Sequence, residues 1–157
     1  MKFSQDVRVK LSLVISIFGI GDAGFLAYQH FNYNPFECPA FGGCEIVITS
    51  DYAVLFGIPT AFWGVVFYLG MSSLLLWYLL ALNKTAIKLA IFGSFTGFIF
   101  SLYLVYLQIV VIGAICFYCM LSAATSTFLF LLLGVPFVIA KISSSDRLNK
   151  SDGTSNK

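Results

Sequence analysis

The sequence predicts an all-α membrane protein built as one bundle of four transmembrane helices. Of the 157 residues, 59% are apolar and only 10% are charged, and the mean hydropathy is +0.93, a composition unlike that of soluble domains. Four apolar segments each reach the roughly 20 residues that a spanning helix needs. The basic residues are confined to the connections on one side of these segments.

The four segments follow one another along the chain as Val9–Tyr28, Ile58–Leu82, Leu89–Val111 and Ala114–Ala140. The first has a basic flank, but its apolar stretch is longer than the core of a secretory signal peptide, and no Ala-x-Ala site follows it. We therefore expect an uncleaved helix. Residues 1–140 should form one four-helix membrane domain, and residues 141–157 a polar cytoplasmic tail whose composition predicts disorder.

The positions of the basic residues predict how the helices are oriented. All nine lie before or at the very start of the first segment, between the second and the third, or after the fourth: Lys2, Arg8, Lys10, Lys84, Lys88, Lys141, Arg147, Lys150 and Lys157. The positive-inside rule then places both termini in the cytoplasm, as expected for a multi-pass protein of a cell inner or plasma membrane. The net charge of +2 therefore indicates orientation in a lipid bilayer and not nucleic-acid binding. All four cysteines face the outer side, where disulfides persist.

A Cys-x-x-Cys pair, Cys116 and Cys119, opens the fourth segment. Residues three apart share a helix face, so the two thiols can bridge. The positive end of the helix dipole favours a thiolate at this position. Cys119 lies about 4.5 Å deeper in the membrane than Cys116. We expect Cys116 to exchange with other thiols and Cys119 to face a lipid-soluble oxidant. The alternatives are an inert structural disulfide or two buried thiols.

The other two cysteines, Cys38 and Cys44, lie in the polar connection between the first two segments. Gly42 and Gly43 give this loop turn freedom, so a short disulfide loop could close and move. The functional interpretation is a shuttle pair that takes electrons from an external partner, and the alternative is a static loop staple. Five residues separate the two cysteines, more than in the usual zinc half-site, so no metal is predicted.

Three further polar residues stand out in the apolar segments. Asp22 lies inside the first segment, where placing a carboxylate in the membrane costs free energy and can indicate a function. We favour the simpler interpretation, an interior residue that is protonated or hydrogen-bonded. His30 and Gln108 lie near outer helix ends. We interpret both as interfacial polar residues, with a role as proton donor as the alternative.

The two cysteine pairs and the stretches of sequence near them together resemble prokaryotic members of the vitamin K epoxide reductase family. The resemblance covers roughly residues 9–140 and rests on the loop cysteines and three further stretches: Cys38, Cys44, Thr49–Pro59, Ser101–Gln108 and Gly113–Cys119. It implies a four-helix bundle around a quinone site, capped by the outer loop and by a short horizontal helix near Ser50–Phe56.

The resemblance also implies roles for individual residues. Cys116 and Cys119 match the active pair of the family, and Cys38 and Cys44 match its shuttle pair. The positions expected to contact the quinone are Ser50, Val47, Tyr52, Phe56 and Ile112.

Two departures from the animal members concern the quinone. Ala123 stands where they carry a tyrosine that contacts the quinone head, and the second segment has no asparagine to match their quinone-binding asparagine. Only Ser50 and backbone groups then remain as obvious polar contacts for a quinone. We therefore expect ubiquinone or menaquinone to be the electron acceptor, and vitamin K quinone or epoxide reduction is the less favoured alternative.

The predicted function is that of a thiol:quinone oxidoreductase supporting disulfide bond formation. It would oxidise a periplasmic or extracellular thioredoxin-fold protein of the DsbA type, present as a separate protein because this sequence has no thioredoxin-like domain. One alternative is a non-enzymatic four-helix scaffold with two structural disulfides. A DsbB-like enzyme is disfavoured because its Cys-x-x-Cys pair lies in the first outer loop, whereas here that pair opens the fourth segment.

Overall fold

Four long helices dominate the computed structural model, which describes residues 2–32 and 43–139. The long helices are α1 (Lys2–Asn32), α3 (Thr60–Ala81), α4 (Lys84–Tyr106) and α5 (Phe117–Leu129). The helix α4 continues into a π-helical segment, Leu107–Ile112, and α5 continues through Phe130–Gly134. Cys38 and the predicted tail, 141–157, lie outside the described residues.

Each of the four helices is long and apolar enough to cross a bilayer, which confirms the predicted fold class. The spans are Gln5–Phe31, Thr60–Ala81, Lys84–Ile112 and Phe117–Ile139. Large apolar side chains such as Leu80 and Phe92 are 79% and 70% exposed on the outer faces of the bundle. This is the arrangement expected when lipid, and not water, surrounds the helices.

The connection between α3 and α4 is only two residues long because both helix ends are capped locally. Leu82 adopts a left-handed conformation (φ 49°), and its N–H donates to the carbonyl oxygen of Tyr78 at 2.8 Å. Asn83 then caps α4, because its side-chain oxygen accepts the N–H of Thr85 at 2.8 Å. The two helices are therefore antiparallel neighbours, and the third span begins at Lys84, five residues before the predicted Leu89.

The short cap helix lies earlier in the chain than expected. Helix α2 covers Cys44–Thr49, and a single 3₁₀ turn follows at Asp51–Ala53. Ser50 separates them because its backbone is extended (φ −69°, ψ 152°). The placement of a horizontal helix near Ser50–Phe56 was therefore wrong in position.

The rest of that stretch is a small β-hairpin. Strand β1 (Val54–Leu55) pairs antiparallel with β2 (Ile58–Pro59). The two turn residues between them, Phe56 and Gly57, both have positive φ angles, 56° and 78°. This is the backbone of a type I′ turn, which reverses a chain within two residues and excludes a helix there.

Two buried clusters hold the bundle together. The inner cluster joins all four long helices and comprises Val9, Ala23, Tyr68, Met71, Leu75, Ala90, Leu129 and Leu133. The ring of Tyr68 lies so close to Gly19 that a Cβ on that glycine would be 2.6 Å from it, so α1 and α3 approach closely at this point. The second cluster, Leu26, Cys44, Val47 and Cys116, lies at the outer end and joins α2 to α1 and to the start of α5.

Candidate functional site

Cys116 is the residue that caps the N-terminus of α5. Its backbone is extended (φ −92°, ψ 119°), and its Sγ accepts the N–H of Cys119 at 3.4 Å. Its own N–H donates to the side-chain oxygen Oε1 of Gln108 at 3.0 Å. The Cys116 side chain is fully buried, so these contacts hold the sulfur in one orientation at the helix end.

Cys116 and Cys119 are both free thiols in this structure. The hydrogen bond from the Cys119 thiol lowers the pKa of the Cys116 thiol, an effect larger than the opposing one of burial. The backbone N–H groups of Cys119 and Tyr118 lower this pKa further. Because the thiolate is the nucleophile in disulfide exchange, the environment favours Cys116 as the attacking sulfur of the pair.

The start of α2, at Gly43 and Cys44, packs directly against the start of α5. Cys44 is disulfide-bonded and fully buried, and it shares its buried cluster with Cys116. A Cβ on Gly43 would lie 2.7 Å from the carbonyl oxygen of Ile115, so only glycine allows this approach. The loop cysteine and the helix-end cysteine are thus brought together. The fourth cysteine, Cys38, lies outside the described residues.

A cavity of about 270 Å³ lies on the other side of the cysteine pair, between the cap and the four long helices. Its wall is mainly apolar and includes side chains from α1, α3 and α4 such as Leu26, Phe67, Phe100 and Leu104. Cys119 lines this cavity, whereas Cys116 is not among the lining residues. The two thiols therefore face different surroundings although they are three residues apart.

Four of the five residues assigned to the quinone by resemblance lie on the cavity wall: Val47, Ser50, Tyr52 and Ile112. Phe56 does not line the cavity. It occupies the tip of the β-hairpin and is 88% exposed. The expectation that Phe56 contacts the quinone came from ungapped counting from Cys44, and the structure does not place this residue on the cavity wall because it lies in the hairpin turn with Gly57.

The structure adds polar residues to the site that the sequence did not single out as ligands. Gln108 is only 3% exposed and lines the cavity beside Cys119. Ser122 and Ser126 follow one and two helical turns below Cys119 on the same wall. A signal for Gln108 existed in the sequence, since an amide inside a long apolar run so near the Cys-x-x-Cys pair is unusual, but its contact with Cys116 depends on the local π-helical turn.

Asp22 is buried (8% exposed), as the sequence interpretation expected of an interior residue. Within the described part of the chain neither of its carboxyl oxygens has a hydrogen-bond partner. It does not line the cavity, although its neighbour Ala23 does. Asp22 is therefore a buried residue that is not part of the cavity wall, although its charge acts on both Cys116 and Cys119.

Comparison with known proteins agrees with this arrangement. The profile of the vitamin K epoxide reductase family matches residues 10–133, which include α1 from Lys10 onward, the other three long helices, the cap and the positions of all four cysteines. The thiol-disulfide oxidoreductase LTO1 of Arabidopsis thaliana is 36% identical over 123 residues, which cover 71% of this chain and 32% of that protein. The chain thus spans about a third of the length of this relative. From the extent of the family match, the chain belongs to the vitamin K epoxide reductase family.

Proposed function

We propose that this protein is a membrane thiol:quinone oxidoreductase that supports disulfide bond formation. The observation that carries the proposal is the division of the cysteine pair: Cys119 lines an apolar cavity, while Cys116 is packed with Cys44. An electron acceptor and a disulfide partner can therefore reach the same pair from different sides. The name of the plant relative, a thiol-disulfide oxidoreductase, supports the dithiol chemistry.

Electrons pass through two disulfide exchanges and one reduction in this proposal. A partner dithiol reduces the loop disulfide and becomes a disulfide itself. The loop thiols, Cys38 and Cys44, then reduce the Cys116–Cys119 disulfide and are reoxidised. Finally the thiols of Cys116 and Cys119 give two electrons and two protons to a quinone, so that their disulfide re-forms and a quinol leaves.

The redox state of the structure matches one stage of this cycle. Cys44 is in a disulfide, while Cys116 and Cys119 are free thiols. In the proposed relay the partner of Cys44 is Cys38, the pairing that the family resemblance implies. With the loop pair oxidised and the helix pair reduced, the protein is ready to reduce a quinone.

The cavity suits a quinone head group as the electron acceptor. Its volume of about 270 Å³ is near the lower end of ordinary ligand sites, and its wall is mainly apolar with a few polar groups. Ala123, which replaces the tyrosine of animal members, is not among the lining residues. Because this sequence lacks both that tyrosine and the quinone-binding asparagine of animal members, we propose ubiquinone or menaquinone as substrate and not vitamin K epoxide.

The dithiol substrate in this proposal is a thioredoxin-fold protein of the DsbA type on the outer side of a cell inner or plasma membrane. The orientation rests on the one-sided distribution of the basic residues. With both termini in the cytoplasm, the cap and the four cysteines lie in the compartment where protein disulfides form.

One experiment tests the proposal directly. Purified protein in nanodiscs is mixed with a reduced thioredoxin-fold protein and a short-chain ubiquinone or menaquinone, and quinone absorbance is followed. We expect quinone reduction with stoichiometric oxidation of the donor, and its loss in Cys116→Ser and Cys119→Ser. If the wild-type protein reduces neither quinone while its cysteines stay redox-inert, the non-enzymatic scaffold replaces the proposal.

A further inference from the structure

Gln108 joins the cysteine pair to the cavity. It lies in the π-helical segment that ends α4, a local geometry that often accompanies functional sites. Its backbone oxygen accepts the N–H groups of Gly113 and Ala114, which close this segment. Its side-chain Oε1 accepts the N–H of Cys116 at 3.0 Å. Because only the oxygen end of an amide accepts an N–H, this contact settles which end of the side chain faces Cys116.

The other end of the amide is available to a ligand. The Nε2 group of Gln108 carries two N–H donors and makes no hydrogen bond within the described residues, 2–32 and 43–139. A polar atom with no partner is either fully buried or accessible, and Nε2 is not among the fully buried ones. It is therefore accessible from the cavity that Gln108 lines. The amide therefore presents donors to whatever occupies that space.

Most other polar side chains on the wall have already committed their donors. A hydroxyl has a single proton to donate, and these protons point to backbone oxygens: Ser50 to Val47 at 2.8 Å, Thr60 to Ala53 at 2.9 Å, Thr96 to Phe92 at 3.1 Å and Ser126 to Ala123 at 2.9 Å. His30 and Tyr52 also line the cavity, without a hydrogen bond to a described residue, but neither contacts the cysteine pair. Gln108 thus has free N–H donors on a side chain whose oxygen is held by the N–H of Cys116.

We propose that Gln108 donates a hydrogen bond from Nε2 to a carbonyl oxygen of the quinone while its Oε1 holds the backbone of Cys116. This rests on the proposed function and names a further residue that binds its substrate. Reduction of a quinone places negative charge on its oxygens, and a fixed N–H donor in an apolar cavity stabilises that charge. One side chain would then position both the electron donor and the electron acceptor.

The experiment separates the two ends of the amide with two substitutions. Gln108→Met removes both the acceptor and the donors. Gln108→Glu keeps an oxygen that can accept the N–H of Cys116, but in its ionised form it has no donor for the quinone. Thr127→Val is the control, because Thr127 lies on α5 outside the cavity wall and, among the described residues, its hydroxyl donates to the Ala123 carbonyl oxygen alone.

Three quantities are measured for each variant: the KM for a short-chain ubiquinone, the alkylation rate of Cys116, and the infrared carbonyl bands of ¹³C-labelled bound quinone. We expect Gln108→Met to raise KM about fivefold, the effect of losing one hydrogen bond. One carbonyl band should also move to higher frequency. Gln108→Glu should keep the Cys116 alkylation rate close to that of the wild type.

Gln108→Glu should also change how the KM for quinone depends on pH relative to the wild type. The KM should rise with pH as the new carboxyl group ionises, because only the protonated form can donate to the quinone. The other titratable groups near the amide are His30, Tyr52, Cys116 and Cys119, together with the buried Asp22, whose charge acts on both cysteines, and they are the same in both proteins. Their contribution therefore cancels in the comparison.

Wild-type KM values and unshifted carbonyl bands in both Gln108 variants would overturn the inference. If Gln108→Met does not fold, as judged by loss of a monodisperse detergent complex, the pH profile of Gln108→Glu decides. The infrared measurement needs no turnover. A wild-type protein that binds quinone with the shifted band but transfers no electrons would therefore retain the Gln108 contact and contradict only the proposed function.

Discussion

Cys116 and Cys119 are joined by a hydrogen bond within one helical turn, yet their thiols have different neighbours. The N–H of Cys119 points to the Sγ of Cys116 over 3.4 Å. Cys119 lines the cavity, whereas Cys116 is fully buried in the cluster that contains Cys44. One turn of helix can thus carry electrons from a disulfide partner at Cys116 to an electron acceptor at Cys119, although the partner and the acceptor do not contact each other.

Loss of the deeper thiol should stop the cycle at a defined intermediate. In Cys119→Ala, the Cys116 thiolate can attack the loop disulfide, the reverse of the exchange in the cycle, to form a mixed disulfide and displace the other loop sulfur as a thiolate. Without Cys119, the sulfur of Cys116 cannot be released from this intermediate by forming the Cys116–Cys119 disulfide, so the electrons cannot continue to the quinone. We expect quinone reduction to be abolished and a species with altered mobility to appear on non-reducing gels, reversible by dithiothreitol. Cys116→Ala is the control that should not form it. Full turnover in Cys119→Ala would remove this residue from the mechanism.

The reactivity of Cys116 should depend on pH in a way that reports its hydrogen bonds. Because the Cys119 thiol lowers the pKa of Cys116, alkylation of Cys116 should reach half its maximal rate below about pH 8.5, the usual value for a free thiol. Cys119→Ala removes the largest cause of the shift, so the midpoint should move to higher pH. The midpoints of the wild type and of Cys119→Ala are measured by alkylating Cys116 with a small reagent at a series of pH values and quantifying the product by mass spectrometry. An unchanged midpoint would contradict the role of that hydrogen bond.

Ser50 should matter less for quinone binding than its family position suggests. Its hydroxyl donates to the carbonyl oxygen of Val47 at 2.8 Å, which closes the end of α2. We expect Ser50→Ala to change the KM for quinone by less than about twofold, since its only proton is committed. The comparison is with Gln108→Met in the same assay. A larger rise in KM for Ser50→Ala than for Gln108→Met would instead make Ser50 the donor.

Tyr68 should stabilise the bundle through its hydroxyl group. The side chain is 1% exposed, and its oxygen lies 2.6 Å from the hydroxyl of Thr125 and 2.8 Å from the carbonyl oxygen of Ser122. Tyr68→Phe leaves these buried groups with fewer partners and should reduce the free energy of unfolding by about 1 kcal/mol. Thermal unfolding in detergent measures this. Tyr103→Phe, at a site that is 53% exposed, should leave the Tm unchanged.

The orientation in the membrane can be tested independently of the chemistry. All basic residues lie on one side of the four spans, so both termini should be cytoplasmic. Alkaline phosphatase fused after Lys141 should be inactive, and the same enzyme inserted within Asn32–Pro39 should be active. Fusion activities in the opposite pattern would place the cysteines on the reducing side and rule out the proposed partner.

The features that the sequence predicted well depend on local pattern. Uninterrupted apolar runs long enough to span a bilayer must form helices there, because lipid offers no other partner for the backbone polar groups. That is why the four helices are confirmed although their ends shift by several residues. The helix-end position of Cys116 and Cys119 followed from the same runs. Turn chemistry was harder to predict: a non-glycine residue, Phe56, takes a left-handed conformation beside Gly57, and a hairpin replaces the expected helix.

Contacts between distant segments could be decided only by the tertiary structure. Nothing in the local sequence around Gln108 indicates that its amide oxygen accepts the N–H of Cys116, because the contact needs a π-helical turn and a chain reversal at Gly113. Likewise, Gly43 meets Ile115 only once the cap has folded onto the start of α5. The sequence by itself therefore determined the number of membrane-spanning helices and their approximate lengths. Packing decided which thiol faces the cavity and which polar group remains free to donate there, because both depend on how separate elements fill the same space.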